Sequence, residues 1–261
     1  MKRMQLFELA DQKWFPNCLR DDMRQYLHVL HQIAKSPETF MQPLKELCLQ
    51  SQRLQLMDCC SGDGHLILEI SQLLRQDPQL TEISIQCSDL YPPQKALQNF
   101  AQGPSWASYR EDSIDVHHFQ CPPNHIQTIF AAFHHFTPPQ ARHILQQAQE
   151  KQYPICIMEI SDNSTPKWLW WLALIPAFLT TFFLMPMLRP LNLRALFFTY
   201  ICPILPICIA WDGAVSNART YSVEDLQELI QDLNHNYDWK ITVLKGAAPG
   251  NMLSLIGKPH T

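Results

Sequence analysis

Short apolar runs of strand length alternate along the chain with longer stretches in which apolar residues recur at helical intervals. The first run begins at Leu54 in LQLMDCCSGDGHLILE and ends in an acid and a small-residue turn before a helical period starts. Later runs are EISIQCSDL, HIQTIFAAF, read as a strand from about Ile126 to Phe133, and YPICIMEI. Strand-length runs separated by helical patterns predict an α/β fold built on a mostly parallel sheet.

The last part of the chain predicts one more helix and two more strands. SVEDLQELIQDLN has apolar residues at helical intervals after Ser222, which we expect to cap the helix. DWKITVLKG and NMLSLIGKP then read as two neighbouring strands. Another helix is expected to begin near Pro138 with Thr137 as its N-cap. Helical periodicity also occurs before the first strand, over residues 22–33 and in LKELCLQ.

The turn after the first strand carries the most informative chemistry. Gly62 and Gly64 have no Cβ, so the backbone can turn sharply there and approach a ligand closely. Asp58 falls at the carboxyl end of the strand. A dinucleotide fingerprint needs a third glycine, and Ile67 occupies that position, which argues against a dinucleotide. The glycines alone would also fit a tight turn after a core strand.

Asp89 ends the second predicted strand, in which Ile83, Ile85 and Cys87 alternate with polar residues. A carboxylate at this place has two oxygens spaced to accept hydrogen bonds from the cis-diol of a ribose. The alternative is that Asp89 caps the following turn, which contains the sequence YPP.

The spacing Asp58-x-x-x-Gly62-x-Gly64, followed one helix later by Asp89, resembles motif I and the second-strand acid of class I S-adenosylmethionine-dependent methyltransferases. The resemblance implies a Rossmann-like α/β fold with a seven-stranded, mostly parallel sheet, helices on both faces and a terminal antiparallel hairpin. It implies S-adenosylmethionine as the cofactor, with its adenine near Asp112 in SYREDSIDVHHF. Asp112 could equally belong, with Asp115, to a solvated loop. The expected cofactor-binding residues are Asp58, Ser61, Gly62, Gly64, Asp89, Leu90, Asp112 and Ser113.

His134 and His135 follow the fourth predicted strand, at the edge where open α/β sheets place ligands and chemistry. Methyl transfer is an in-line displacement that depends mostly on positioning, with a base added when the acceptor carries a proton. An unperturbed histidine pKa near about 6.5 suits proton uptake near neutrality, so these histidines are the candidate catalytic residues. A structural role at the helix entry is the alternative.

Two uncharged runs lie between the fifth strand and the following helix, where class I methyltransferases usually have a shorter connection. They are WLWWLALIPAFLTTFFLMPML, from Trp168 to Leu188, and ALFFTYICPILPICIAW, from Ala195 to Trp211. The first is long enough to cross a bilayer by the criterion of about 20 residues, and the second is marginal. We predict an apolar helical hairpin over 168–211.

Charges and prolines argue against a full crossing of this hairpin. A crossing would place Arg189 and Arg194 on the far side, against the positive-inside tendency. Four prolines also interrupt helical hydrogen bonding: Pro176, Pro186, Pro203 and Pro206. We therefore expect the hairpin to dip into one leaflet or lie at its surface, with Trp168, Trp170 and Trp171 at the headgroups. A soluble apolar lid is the alternative.

The polar segment WDGAVSNARTYS follows the hairpin and returns the chain to the sheet edge. Its Asp212, Arg219 and Tyr221 are candidate substrate-binding residues, because polar groups at such a junction can orient the head group of an acceptor. The alternative is that Asp212-Gly213 makes a turn and that Arg219 pairs with a surface acid. The segment, with WFP near the N-terminus and FHHF after the fourth strand, is similar to a bacterial group of methyltransferase-like proteins without an established substrate.

Composition narrows the range of partners. A length of 261 residues with 46% hydrophobic residues suits one elaborated domain, and a net charge of −4 provides no basic surface for nucleic acid. The nine cysteines include no Cys-x-x-Cys pair, so we expect reduced thiols. Histidines that are adjacent in a strand point to opposite faces, and we therefore expect no metal.

Together these patterns predict a helical cover over residues 1–52 and a cofactor-binding domain over 53–261, with 162–221 as the hairpin insert and polar junction. MKRMQLFELADQKW lacks the apolar stretch of a secretory signal, so we expect a cytoplasmic location, peripheral or monotopic at the membrane. The expected function is methyl transfer from S-adenosylmethionine to a small lipophilic or membrane-associated acceptor. The alternative is a cofactor-binding protein without transfer activity that recruits a partner at the membrane.

Overall fold

A computed structural model describes residues 1–233, 236–247 and 250–260. Within these residues one sheet contains seven strands in the order β3-β2-β1-β4-β5-β7-β6. The strands are β1 (Gln55–Cys59), β2 (Ser84–Ser88), β3 (Ala107–Tyr109), β4 (His125–Phe130), β5 (Ile155–Glu159), β6 (Tyr237–Lys245) and β7 (Asn251–Pro259). Strands β1 to β5 pair in parallel, whereas β7 runs antiparallel to both β5 and β6. The predicted sheet and its terminal hairpin are confirmed.

Helices cover both faces of the sheet. In chain order they are α1 (Asn17–Ile33), α2 (Ser36–Ser51), α3 (His65–Leu74), α4 (Gln94–Ala101), α5 (Pro138–Glu150), α6 (Leu174–Leu184), α7 (Leu193–Leu196), α8 (Ile204–Arg219) and α9 (Val223–Ile230). Phe40 and Ile70, from α2 and α3, belong to the core on one face. Ile144 and Leu226, from α5 and α9, belong to the core on the other. Each core removes a continuous apolar surface from water, which is the dominant stabilising term for such a fold.

The two predicted helix caps are present. Thr137 and Gln140 form a capping box at the start of α5, and Ser222 and Asp225 form another at the start of α9. In the second box the Ser222 hydroxyl accepts the N–H of Asp225 at 3.2 Å. Such a side chain satisfies a backbone donor that the first helical turn leaves without a partner. Because this chemistry is local, the sequence pattern was sufficient to find both helix starts.

Strand β4 is shorter than its apolar run. It ends at Phe130, and Ala131 then adopts a left-handed backbone conformation with φ 50°. Phe133, His134 and His135 form one turn of 3-10 helix. The prediction of a strand reaching Phe133 is therefore wrong by three residues, since the run of apolar residues continues through a tight turn into the core.

The apolar insert is a helical hairpin whose second arm is bent. Residues Lys167–Met187 form one continuous helical arm, with a mean hydropathy of 1.8 and only 11% of its apolar window buried. Within the described residues, this arm is the one helix whose length and apolar composition would allow it to cross a membrane. The second arm bends by 88° between Leu193–Ile201 and Ile204–Arg219. It breaks at Pro203, whose ring and missing N–H interrupt a helix.

The hairpin packs against α1 rather than standing apart from the domain. Tyr26 and Phe15 share a buried cluster with Met185 and Leu205. At the tip of the hairpin, Arg194 donates to the fully buried carboxylate of Asp22 at 2.7 and 3.0 Å, and Asn192 donates to it at 2.6 Å. A buried carboxylate needs such partners, because an unpaired one is strongly destabilising. The tip is thereby attached to the N-terminal helices.

Candidate functional site

The glycine turn after β1 has the backbone that only its glycines adopt easily. Gly62 and Gly64 have φ values of 57° and 75°. A Cβ built on Gly64 would lie 2.7 Å from the ring of Phe100, whereas one on Gly62 would meet no atom within 4 Å. Gly64 is therefore needed both for its conformation and for its packing. Gly62 presents open backbone at the carboxyl edge of the sheet.

Asp89 connects this turn to the end of β2. One carboxylate oxygen accepts the N–H of Gly62 at 2.9 Å, and the other accepts the N–H of Tyr91 at 2.8 Å. The turn-capping contact considered as an alternative is thus present. Each oxygen of Asp89 accepts one backbone hydrogen bond in this arrangement. Because a carboxylate oxygen can accept more than one hydrogen bond, both oxygens can still accept from a ligand.

Further hydrogen bonds hold the same loop. The Ser61 hydroxyl donates to the carbonyl of Asp58 at 3.0 Å and accepts the N–H of Ser88 at 3.1 Å. The Tyr109 hydroxyl donates to the carbonyl of Gly62 at 2.7 Å. Ser61 therefore supports the loop from below. Tyr109, from β3, was not identified from the sequence, because a lone aromatic on a short strand gives no signal of this contact.

Asp58 lies inside the sheet rather than at its surface. Its side chain is 2% exposed and accepts the hydroxyl of Thr128, on neighbouring β4, at 2.6 Å. Burial raises the pKa of Asp58 to about 7, the hydrogen bonds from Ser61 and Thr128 lower it in part, and the charge of Asp89 raises it. The Asp58 carboxyl thus lies beneath the glycine turn, with the hydroxyl of Thr128 as its hydrogen-bond partner.

The loop after β3 brings the remaining expected cofactor residues beside Asp89. The Ser113 hydroxyl donates to the carbonyl of Leu90 at 2.6 Å, and the N–H of Ile114 donates to the carbonyl of Asp89 at 2.9 Å. Asp112 is exposed, and both of its oxygens accept from Arg110, at 2.9 and 2.6 Å. This ion pair keeps the pKa of the Asp112 carboxyl below its usual range, mainly through the hydrogen bond from Arg110.

A second polar group lies at the ends of β4 and β5. Nδ1 of His134 is 2.9 Å from one oxygen of Glu159, and the backbone N–H of His134 donates to the other oxygen at 2.9 Å. Both side chains are buried. Burial by itself raises the pKa of Glu159, but His134 and its hydrogen bonds more than offset this and hold the pKa below its usual value. Glu159 was missed by the sequence reasoning, although it ends an apolar strand in the same way as Asp58 and Asp89.

The N-terminal segment, residues 2–11, closes over these histidines. Arg219 donates to Glu8 at 3.1 Å and to Asp11 at 3.0 Å, and Nδ1 of His135 is 3.3 Å from Asp11. Burial raises the pKa of Glu8, partly opposed by the charges of His135 and Arg219. The pKa of Asp11 stays well below its usual value, because hydrogen bonds and charges from His135 and Arg219 outweigh its burial.

The polar junction after the hairpin contacts the same N-terminal segment, residues 2–11. Asp212 accepts the N–H groups of Leu9 and Ala10, at 2.6 and 2.9 Å. Asp212 and Gly213 lie within α8, so the alternative of a turn at this dipeptide is wrong. Arg219 itself is 4% exposed, but one of its two acidic partners, Asp11, is exposed, so the alternative of a pairing with a surface acid is present in part. Tyr221 is buried, and its hydroxyl donates to the carbonyl of Phe136 at 2.7 Å.

Glu8, His134 and His135 place three potential metal-ligand atoms within 4.8 Å of one another. The two imidazoles lie in one 3-10 turn with ring centroids 4.3 Å apart, so the expectation that they point to opposite faces is wrong. Arg219, however, already pairs with Glu8, and its fixed positive charge would compete with a cation at that carboxylate.

No family model matches the chain, and no curated protein matches it. Solved structures do match. One is the plantazolicin methyltransferase BpumL in complex with SAH, with a TM-score of 0.57, 12% identity and coverage of 97% of this chain and 94% of that chain. Its complex with a monoazolic desmethylPZN analog and SAH matches with a TM-score of 0.57 and 13% identity, over 97% of this chain and 94% of that chain. Its complex with a pentazolic desmethylPZN analog and SAH matches with a TM-score of 0.52 and 11% identity, over 94% of this chain and 99% of that chain. The chain therefore has the Rossmann-like fold of the class I methyltransferases.

Proposed function

We propose that this chain is an S-adenosylmethionine-dependent methyltransferase that acts on a small lipophilic acceptor. The observation that carries the proposal is the contact between Asp89 and the N–H of Gly62, which brings the second-strand acid onto the glycine turn at the carboxyl edge of the sheet. Solved structures of the same fold are complexes with SAH, the demethylated cofactor, and this supports the same ligand here.

The chain's own residues fit the cofactor. The left-handed turn at Gly62 and Gly64 would meet its amino-acid part, and Asp89 would accept hydrogen bonds from the ribose hydroxyls. Leu90, Asp112 and Ser113 line the adjoining loop and would meet the adenine. The cofactor supplies a methyl group on a positively charged sulfur. The protein supplies orientation, which is the main requirement of an in-line displacement.

His134 is the base we propose for an acceptor that carries a proton. With its Nδ1–H donated to Glu159, the opposite nitrogen, Nε2, is free to accept a proton from the acceptor. Glu159 then positions the ring. Nε2 lies 3.7 Å from Glu8, so an acceptor hydroxyl would replace Glu8 at this nitrogen. His135, which contacts Asp11, remains the second candidate.

Asp212 and Arg219 would act on the acceptor through the N-terminal segment that they hold. Tyr221 contributes to the same hold, because the guanidinium of Arg3 lies over its ring, 4.5 Å from the centroid. Asp212 binds the backbone of this segment, and Arg219 binds Glu8 and Asp11. Movement of the segment would expose Arg219 and His134 to an acceptor head group. The closed arrangement also favours the second candidate function, a cofactor-binding protein without transfer activity, because the segment covers the proposed base.

The hairpin supplies the argument for a lipophilic acceptor and for a membrane surface. Its exposed side chains include Trp168, Ile175, Phe183 and Ile207, exposed by 73%, 55%, 75% and 58%. Contiguous apolar surface of this kind is rare on soluble monomers and is typical of membrane or protein contacts. Because Asp22 holds the tip to α1, we propose that the hairpin lies within one leaflet instead of crossing the bilayer.

A transfer assay tests the proposed function. Cofactor labelled in the transferable methyl group is incubated with the protein and a bacterial lipid extract, and the label in the organic phase is counted. We expect label in that phase, and we expect its loss with Asp89→Ala. Label that enters only water-soluble compounds would contradict the lipophilic acceptor. Cofactor binding without transfer to the organic phase or to water-soluble compounds would support the second candidate function.

A further inference from the structure

The two long helices of the hairpin form the walls of an open apolar groove of about 430 Å³. It lies between α6 and α8 and is lined by Leu174, Ile175, Phe178, Leu179, Ile207, Ala210 and Trp211. These seven side chains carry no charge, and the indole of Trp211 is the one with a polar hydrogen. That N–H is already donated to the carbonyl of Phe7 at 3.0 Å. The groove therefore offers a ligand contact area without hydrogen-bonding demand.

Helix α8 contributes residues both to the groove and to the candidate site. Ala210 and Trp211 follow Ile207 by three and four residues, and all three face the groove. Asp212 and Arg219, seven residues apart on the same helix, hold the N-terminal segment. Trp211 also packs on Phe7 with ring centroids 5.3 Å apart. Arg219 follows Trp211 by about 12 Å of helix, at about 1.5 Å per residue. One end of the groove is thus about two helical turns from the charged cluster at His135.

We propose that this groove binds the hydrocarbon chain of an amphiphilic acceptor, whose polar head group points along α8 toward Arg219 and His134. This inference rests on the proposed function and specifies its substrate class. An uncharged groove suits a saturated or isoprenoid chain, and its volume is within the range of about 300–1,000 Å³ that is usual for small-molecule sites. Arg219, at the end of α8, is a fixed cation that pairs with Glu8 and Asp11, and movement of the N-terminal segment that carries these two acids would release it for an anionic or hydroxyl-bearing head group.

Binding of cis-parinaric acid, a fluorescent fatty acid, tests the chain site without a known acceptor. The probe is titrated into the full-length protein in vesicle-free buffer, with energy transfer from tryptophan as the signal. Ile207→Trp fills the groove from an exposed position, and Ile204→Trp makes the same change one turn earlier on α8, outside the groove. We expect about tenfold weaker binding for Ile207→Trp and less than twofold change for Ile204→Trp, because only the first displaces the chain.

Two further measurements separate the outcomes. Paramagnetic stearic acid labelled at carbon 5 should broaden the imidazole signals of His135, assigned with His135→Asn, more than the same acid labelled at carbon 16. Equal broadening, or none, would overturn the head-group direction. Absence of parinaric acid binding, or equal losses in both variants, would overturn the chain site.

Analytical sedimentation tests whether a second copy of this chain occupies the groove instead. A concentration-dependent dimer that Ile207→Trp abolishes would assign the groove to a second copy of this chain and overturn the proposal. Titration of SAH into the same samples keeps the two proposals distinct. Wild-type binding of SAH without binding of the fatty acid defeats this inference alone, whereas failure to bind SAH defeats the proposed function.

Discussion

Glu159 accepts two hydrogen bonds from His134, one from the imidazole Nδ1 and one from the backbone N–H, each at 2.9 Å. The pair joins the ends of β4 and β5 and is buried beneath the N-terminal segment. Two contacts from one carboxylate fix both the ring and the turn that carries it. This geometry makes His134 the better-positioned of the two candidate histidines.

Substitution of the two histidines tests the base. We expect His134→Asn to lower the rate of methyl transfer by about 10²- to 10⁴-fold, the usual contribution of a positioned base, with SAH affinity changed less than twofold. His135→Asn should have a smaller effect. His125→Asn, at a partly buried histidine at the start of β4, is the control. Unchanged turnover in both His134→Asn and His135→Asn would remove the base hypothesis.

Glu159→Gln tests the buried pair through its pH dependence. The pKa of Glu159 is lowered in the folded protein, so its stabilising contribution is present above the unfolded pKa of about 4.3 and is lost as the pH falls through the folded value. We expect the variant to be less stable at pH 7 by about 3 kcal/mol and to lose less stability below pH ~4. Urea unfolding at several pH values measures this, with Glu150→Gln as the exposed control. Equal acid dependence in wild type and variant would exclude the pair as its source.

For Asp58 we predict a pH dependence of stability opposite in sign to that of Glu159. Burial raises its folded pKa to about 7, so the folded protein keeps a proton that the unfolded chain releases near pH ~4. Stability should therefore fall as the pH rises from about 4 to 7, by at most about 1.4 kcal/mol per pH unit from this group. Asp58→Asn should remove that slope and be relatively more stable at pH 8. Parallel stability curves for wild type and Asp58→Asn would show that the group is ionised throughout; Asp232→Asn, at an exposed acid, is the control.

Vesicle flotation tests the membrane surface of the hairpin. Ile175 and Phe183 are 55% and 75% exposed, and burying each in lipid would contribute about 1.5–3 kcal/mol. We expect wild type to float with phosphatidylcholine vesicles and the double variant Ile175→Asp/Phe183→Asp to bind at least tenfold more weakly. Tyr91→Asp alters an equally exposed aromatic residue, 71% exposed, away from the hairpin. Wild-type protein that stays with the soluble fraction would refute membrane binding and favour a soluble lid.

The sequence was informative wherever the structure depends on nearby residues. The positions of most strands followed from apolar runs and their spacing, and the caps at Thr137 and Ser222 are interactions within three positions. The end of β4 was less accessible, because Ala131 leaves the strand with a positive φ that its residue type does not signal. The bend in the second arm coincides with Pro203, but a proline alone does not fix an angle of 88°.

The candidate site was predictable in part for the same reason. The glycine turn and Asp89 follow their strands directly and carry recognisable spacing. The cover over His134 depends instead on Glu8 and Asp11, which meet Arg219 from 211 and 208 positions away. Nothing in MKRMQLFELADQKW distinguishes these acids from solvated ones. Their function becomes visible only when the folded chain brings them to the ends of β4 and β5.

Cofactor binding at the glycine turn is the central claim, and calorimetric titration tests it most directly. S-adenosylmethionine and SAH are titrated into wild type, Asp89→Ala and the exposed-loop control Glu111→Ala. We expect wild type and Glu111→Ala to bind both ligands and Asp89→Ala to bind them at least tenfold more weakly, because it loses the carboxylate that holds Gly62 and would meet the ribose. Wild-type protein that binds neither ligand would contradict the account.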